Sequence, residues 1–165
     1  MAEAITKTTT LNVFPIVRTI IQSSNLPNLN TKFSLNAHYF EYDPLFLSRN
    51  FTGFPYIIIE SEFDDEELIM DGDLESLNYT SNILLRMQHH AKGTQTEPFS
   101  LANLNAYANA ILNYIKQNKG NILDTYKLNH ISISGTPADT PMIEGEKISE
   151  RQIIWNYNVI IDTKT

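Results

Sequence analysis

The chain has 165 residues, no cysteine and a net charge of −7. We expect a single domain spanning residues 1–165, because a chain of this length builds one hydrophobic core. The absence of cysteine excludes disulfides, thiolate zinc sites and cysteine nucleophiles. The negative charge argues against a general nucleic-acid-binding protein, since phosphate binding depends on clustered lysine and arginine.

Residues 1–10 form a polar stretch, which we predict to be an N-terminal arm. The stretch lacks a basic start followed by a continuous apolar run, so it does not have the pattern of a signal peptide. No window of the sequence approaches the roughly 18 apolar residues that a membrane span requires. We therefore expect a soluble protein that is made in a cytoplasm.

A short helix and a first strand are predicted after the arm. Asn12 is a plausible N-cap for a helix over residues 13–22, and Pro15 falls in the first turn, where its missing donor is harmless. Residues 33–51 are rich in aromatic side chains without a clean period, which favours irregular structure. The segment FPYIIIESE at residues 54–62 predicts a strand, and its three consecutive isoleucines indicate burial on both faces.

Acidic residues are concentrated after this strand. More than half of the 19 acidic residues lie between residues 41 and 75, against the single cation Arg49. We predict an acidic loop over residues 63–80, with a turn at the sequence Asp71-Gly72-Asp73. Its charge is explained either by a solvated surface that keeps the protein soluble or by a surface that repels a polyanion.

The second half of the sequence predicts three strands and a long helix. A strand over residues 81–91 should pair antiparallel with the first strand. A helix over residues 101–119 has Ser100 as a candidate N-cap and Gly120 as a candidate left-handed C-cap. A strand over residues 129–134 and a final strand over residues 149–162 are separated by a predicted loop over residues 135–148.

The final strand has the clearest pattern in the sequence, since Trp155 and Tyr157 share one face with aliphatic residues while polar residues occupy the other. Together the segments predict an α+β fold. We expect a mainly antiparallel four-stranded sheet that is covered by a long helix and a short N-terminal helix.

Enzyme signatures are weak, and we expect no cofactor and no metal. His89 and His90 are adjacent, so on a strand they point to opposite faces and cannot together ligate one metal. The six glycines form neither a phosphate loop nor a dinucleotide fingerprint. One alternative remains, because Glu60 and Glu62 at the end of a hydrophobic strand are a possible carboxylate pair for a Mg²⁺-dependent nuclease.

The order of these segments resembles a known family. A short N-terminal helix, the FPYIIIES strand, the NILLRMQHHAK strand, the SLANLNAYANAILNYIKQN helix, the HISIS strand and the ERQIIWNYNVIIDT strand together look like the tail-terminator, or tail-completion, proteins of tailed viruses. The resemblance runs from about Leu11 to Asp162. It rests on element order and strand character, since there is no invariant motif.

The resemblance implies a structural virion subunit of a bacteriophage, and not an enzyme. Such a subunit forms a ring, usually of six copies, at the head-proximal end of the tail tube, ends tube polymerisation and joins the tail to the capsid neck. Its partners would be further copies of itself, the tail-tube protein and a neck or head-completion protein. The protein would be assembled in the host cytoplasm and located in the virion.

DNA would pass through the lumen of such a ring without specific binding, so an acidic lining would reduce sticking. The candidates for a lumen or subunit-contact surface are Asp64, Asp65, Glu66, Glu67, Asp71, Asp73 and Glu75. An alternative in the same setting is another ring subunit of the neck or tail tube. The alternative of a different class is the nuclease that would use Glu60 and Glu62.

Overall fold

The structure is a computed structural model and describes residues 5–6, 12–46, 53–68, 74–143 and 145–162. Within these ranges the α-helices are α1 (Phe14–Gln22), α2 (Leu26–Leu29), α3 (Ser100–Gln117) and α4 (Lys119–Tyr126). The strands are β1 (Ile5–Thr6), β2 (Tyr39–Phe40), β3 (Tyr56–Leu68), β4 (Leu74–Gln88), β5 (Leu128–Gly135), β6 (Met142–Ile143) and β7 (Glu146–Asp162). Short 3-10 turns lie at Thr31–Ser34, Asn36–His38 and Pro44–Phe46.

Strand β7 is the central element of the sheet. On one side it pairs antiparallel with β4 along the whole length of β4. On its other side it pairs with β6, β5 and β1 at successive positions. In the spatial order of the sheet, β3 lies next to β4, and β2 pairs with the start of β3. The strand with the clearest alternation in the sequence is therefore the strand that is hydrogen-bonded on both sides.

Alternation along the strands divides the sheet into two faces. The β7 side chains that pack with the helices in the main core are Ile153, Trp155, Tyr157, Val159 and Ile161. We call this side the helical face. The side chains between them, such as Gln152 and Asn156, are half-buried and belong to the opposite side, which we call the open face.

Two helices cover the helical face through apolar stripes. Helix α3 contributes Leu104, Ala108, Ile111 and Ile115, which are fully buried and spaced so that they share one side of the helix. Helix α1 contributes Val17, Ile20 and Ile21 in the same way. Leu, Ile and Val side chains each contribute roughly 1.5–3 kcal/mol when fully buried, so these stripes fix the helices on the sheet.

The predicted helix ends are partly wrong. Ser100 is the first residue of α3 and caps nothing; the N-cap position belongs to Phe99. Gly120 lies inside α4, and the left-handed residue is Lys127, with φ of 59° at the end of that helix. A second short helix, α4, therefore follows α3, and its Ile122 is buried against the core.

The α+β class is confirmed, but the predicted four-stranded, mainly antiparallel sheet is corrected. The sheet is mixed, because β1 runs parallel to β7 and β2 runs parallel to β3. Both strands pair over two residues, Ile5 and Thr6 in β1 and Tyr39 and Phe40 in β2. Segments this short carry no readable period, which is why the sequence pattern missed them.

The predicted acidic loop over residues 63–80 is wrong for most of its length. Strand β3 continues to Leu68 and β4 begins at Leu74. Aspartate and glutamate are poor strand formers, yet the outcome is decided by pairing with β4, which is itself paired with β7. The acidic residues at 64–67 and at 75 therefore lie on two long paired strands that are anchored in the sheet, and residues 69–73 lie outside the described residues.

The predicted loop over residues 135–148 and the predicted arm over residues 1–10 are also partly ordered. The predicted loop over residues 135–148 contains β6, and its last residues belong to β7, which begins at Glu146. Asp139 in the same segment forms an isolated bridge with Glu150 of β7. In the predicted arm, Ile5 and Thr6 pair with β7, and the rest of the arm lies outside the described residues. In the part of the chain that is described, every helix is too short or too polar to span a membrane.

Candidate assembly surface

The first feature of the surface is the outer side of β3. Strand β2 pairs with β3 only at Ile57 and Ile58. Beyond them, no described strand pairs with the outer side of residues 59–68, which we call the β3 edge. An unpaired strand edge presents a row of backbone donors and acceptors, and it is a template for pairing with another chain.

Acidic residues follow the β3 edge. Glu60 and Glu62 are exposed, and they pair with Asn82 and Thr80 on the open face. Asp64 lies at a bulge between Phe63 and Asp65, where the register with β4 shifts by one residue. The pairing beyond the bulge places the backbones of Asp65, Glu66 and Glu67 opposite Asn78, Leu77 and Ser76.

The predicted contact residues are thus brought together on one hairpin. Asp64, Asp65, Glu66 and Glu67 occupy the distal part of β3, and Glu75 pairs with Leu68 at the start of β4. Asp71 and Asp73 lie outside the described residues. The hairpin concentrates negative charge at one corner of the sheet, on the side of the β3 edge.

The opposite side of the sheet ends in β5. Strand β5 pairs with β7, and no described strand pairs with its outer side, which we call the β5 edge. Three lysines lie around its beginning: Lys116, Lys119 and Lys127. Between residues 98 and 138 the sequence holds these three cations and the single acid Asp124, in a chain of net charge −7.

The lysine group also acts on a neighbouring histidine. Burial lowers the pKa of His130, and the charges of Lys119 and Lys116 lower it further. Trp155 Nε1 donates a hydrogen bond of 3.1 Å to His130 Nδ1, so the neutral ring carries its proton on Nε2. The β5 edge is therefore basic through its lysines, while its histidine is held neutral.

The open face is lined by amides and hydroxyls that satisfy one another across strands. Thr80 Oγ1 donates to Asn156 Oδ1 at 2.7 Å, and Asn156 Nδ2 donates to Ser132 Oγ at 3.0 Å. Asn158 Nδ2 donates to Asn78 Oδ1 in the same manner. A polar, largely uncharged ladder therefore runs across β4, β7 and β5 beside the exposed glutamates of β3.

Part of the open face is covered by the chain that precedes β3. Tyr56 and Ile58 are fully buried there, and the ring of Tyr56 lies 5.7 Å from Phe40 and 5.1 Å from Phe54. Arg86 holds this cover in place, since its Nη1 donates to Asp43 Oδ2 at 2.6 Å. This small second core closes the open face at the start of β3.

The Arg86 guanidinium is enclosed by acceptors. Burial would lower the pKa of Arg86, but the hydrogen bonds that it donates to Asp43, Tyr56 and Glu150 raise it above the ordinary arginine value. Burial also raises the pKa of Tyr56. The sequence held a signal for this cluster, because Arg86 is a lone cation in an apolar strand and a buried cation requires a carboxylate.

A serine–histidine cluster, for which the sequence offered no prediction, lies just beyond the C-terminal end of β4, next to the Arg86 network. His89 Nδ1 is 2.9 Å from Ser149 Oγ, which is 2.7 Å from Ser100 Oγ. Ser100 Oγ also accepts from the backbone amide of His90 at 3.0 Å. Both serines are 0% exposed, so no substrate reaches their hydroxyls, and the cluster serves to fasten the start of α3 to the sheet.

Among the described residues, no group of three or more histidine, aspartate and glutamate side chains is placed to hold a metal ion. The nuclease candidates Glu60 and Glu62 lie on the same exposed face of β3.

No protein-family model matches this sequence, and no curated protein is similar enough to it to count as a relative.

Proposed function

We propose that this protein is a structural virion subunit that forms a ring at the head-proximal end of the tail tube, ends tube polymerisation and joins the tail to the capsid neck. The observation that carries the proposal is that the sheet, among the described strands, has two different edges without a pairing strand, the β3 edge and the β5 edge, at its opposite sides. Contacts between two different surfaces of the same subunit are heterologous, and they generate rings when the rotation closes.

The element order supports the choice of this ring over others. When the short elements β1, α2, β2, α4 and β6 are left aside, the chain has the order helix, strand, strand, long helix, strand and strand, through which it resembles tail-terminator proteins. In that role the tail-tube protein binds one side of the ring and a neck or head-completion protein binds the other. The ring is usually six-membered in the family, and we propose six copies here.

The distribution of charge supports a passage for DNA. The exposed Glu60 and Glu62, together with the acidic residues of the distal hairpin, give one corner of the sheet a negative potential. Carboxylates that line a channel repel phosphates, so DNA passes without being held. We propose that the open face of this hairpin, which carries Glu60 and Glu62, faces the lumen.

The experiment is a tube-capping assay. Purified protein is mixed with polymerising tail-tube protein, and tube length and tube ends are measured by negative-stain electron microscopy. We expect rings on one end of each tube and a tube length that stops increasing, against a control without the protein. A protein that stays monomeric and leaves tube growth unchanged contradicts the proposal.

Two other outcomes identify the alternatives. Long stacks formed by the protein alone would indicate a tube subunit, because a terminator stops at a ring. Cleavage of DNA in the presence of Mg²⁺, lost in Glu62→Gln and retained in the control Glu97→Gln, would indicate a nuclease. Glu97 is a suitable control because it is exposed and lies outside β3.

A further inference from the structure

Phe63 and Ile131 are exposed apolar residues on the two edge strands. Phe63 on β3 is 50% exposed, and Ile131 on β5 is 53% exposed. The ring of Phe63 meets the ring of Tyr79 edge-on at 5.5 Å. Single exposed apolar residues are ordinary on a protein surface. Phe63 and Ile131 differ from such residues because each lies on an edge strand, one at either side of the sheet.

The two residues lie at the same level of the sheet. Phe63 pairs with Tyr79, Tyr79 pairs with Tyr157, and Tyr157 pairs with His130, the residue before Ile131. The two edges also cover the same rows of paired residues across the sheet. One end is the row of Ile59, Ile83, Ile153 and Gly135, and the other is the row of Glu66, Leu77, Val159 and Leu128.

The strand directions fit the same arrangement. Each of the pairs β3 with β4, β4 with β7 and β7 with β5 is antiparallel, so β3 and β5 run in opposite directions. A second copy placed beside the first sets its β5 antiparallel to β3 and continues the alternation. Addition of a strand to a free edge is a common mode of protein association, in which backbone hydrogen bonds give affinity.

Both edges are irregular at corresponding positions. The β3 edge has a bulge between Phe63 and Asp65, and the β5 edge has one between His130 and Ser132. Each bulge lies next to the level of Tyr157. A bulge interrupts the row of backbone groups and discourages pairing with an arbitrary strand. The two bulges lie one on each side of the Tyr157 row, so Phe63 and His130 stay in register between them.

Charge favours the same pairing. At the end of the β3 edge the positions of Glu66 and Glu67 are acidic, and they lie at the level at which Lys127 enters β5. Lys116 and Lys119 are exposed on the same side of the subunit as β5. A copy translated along the sheet therefore brings its lysine group to its neighbour's acidic hairpin, while β3 to β3 contacts would set acid against acid.

We infer that subunits join head to tail by pairing the β5 edge of one copy with the β3 edge of the next, with Ile131 packed against Phe63 of the neighbour. The inference rests on the proposed function for the existence of a ring, and it adds which surfaces make it. Each subunit uses both edges once, so the sheet continues from copy to copy and the ring closes without a free edge.

The absence of cysteine allows a direct test by cross-linking. Under oxidising conditions Phe63→Cys alone and Ile131→Cys alone should give no covalent dimer, and a mixture of the two should give one. The double variant Phe63→Cys with Ile131→Cys should give a ladder of covalent oligomers that ends at the ring. The control is the double variant Leu35→Cys with Ile131→Cys, in which Leu35 is 55% exposed but lies outside the sheet.

A second measurement does not depend on disulfide geometry. Phe63→Asp and Ile131→Asp should each reduce the native mass from that of a ring to that of a monomer, while Leu35→Asp keeps the ring. Rings that persist in both edge variants and give no ladder overturn the inference and leave the proposed function standing. A ladder with rings that never cap tubes overturns the proposed function and leaves the inference standing; a monomer at all concentrations overturns both.

Discussion

Arg86 and Glu150 are direct partners across β4 and β7, and Arg86 Nε donates a hydrogen bond of 2.6 Å to Glu150 Oε2. The same guanidinium reaches Asp43, so one cation joins the central strand to the segment that precedes β3. Only 8% of the Arg86 side chain is exposed, against 14% for Asp43 and 23% for Glu150. Removal of the cation would leave two shielded carboxylates without compensation.

We predict that Arg86→Ala lowers the free energy of unfolding by about 3 kcal/mol, because breaking a buried ion pair leaves uncompensated charge. Equilibrium urea unfolding measures the loss. Lys147→Ala is the control, since Lys147 is an exposed cation on β7, the strand that carries Glu150, and should change stability by less than about 0.5 kcal/mol. Equal losses in the two variants would show that the network is not a stabilising anchor.

Neighbouring residues on β4 test the assignment of the two faces. Ile83 is 0% exposed in the main core, and Leu84 is half-buried on the open face. We predict that Ile83→Ala costs about 3 kcal/mol of unfolding free energy and that Leu84→Ala costs less than half as much. A slip of the register by one residue exchanges the two faces, so a reversed order of the two losses would contradict the sheet described here.

We predict that protonation of His130 lowers the stability of the fold in mild acid. Burial and the nearby lysines lower its pKa, so below the ordinary histidine pKa of about 6.5 the unfolded chain binds more protons than the folded chain. Stability should therefore fall as pH falls through that range. His130→Gln keeps an acceptor for the Trp155 indole and should flatten this slope in urea unfolding, followed by Trp155 fluorescence. An unchanged slope would exclude His130 as the cause.

We predict that the buried hydroxyl of Tyr39 makes the fold less stable in alkali. Burial raises its pKa although the charge of Arg18 opposes the shift, and its hydroxyl donates to the Phe33 carbonyl at 2.8 Å. Above the ordinary tyrosine pKa of about 10 the unfolded chain loses a proton that the folded chain keeps, so stability falls as pH rises. Tyr39→Phe should cost about 1 kcal/mol at neutral pH.

The same variant should reduce the alkaline loss when unfolding is measured at neutral pH and at about pH 10.5. The ring contact between Phe33 and Tyr39, at 6.4 Å, does not involve the hydroxyl, so the packing is retained in Tyr39→Phe. A variant with the full alkaline loss would show that other groups carry the effect.

The elements that the sequence predicted well are those whose signal is long. Strand β7 and helix α3 each repeat their apolar period several times, and both lie where the sequence predicts a strand and a helix. The distal hairpin was missed for the opposite reason. Its local composition favours a loop, and only pairing with β4 makes it a strand, which is information that lies far away in the sequence.

The candidate surface shows the same division. The cluster of acidic residues could be read directly, whereas the position of Ile131 opposite Phe63 follows from the order of strands and their registers. Neither residue stands out in the sequence, because isolated apolar residues are common in strands. Only the topology shows that the two lie on opposite unpaired edges at one level.

Ser149 supplies a final prediction, which concerns the cluster at the start of α3. Its hydroxyl is fully buried and lies within hydrogen-bonding distance of both His89 and Ser100. Ser149→Ala deprives His89 and Ser100 of a hydrogen-bond partner. It should lower the free energy of unfolding by about 1–2 kcal/mol, because buried polar groups left unpaired carry a desolvation penalty. The control Ser134→Ala removes an exposed hydroxyl on β5 and should stay within about 0.5 kcal/mol of the unchanged protein. Thermal unfolding of the two variants compares them directly, and equal stability would show that the hydroxyl does not fasten α3 to the sheet.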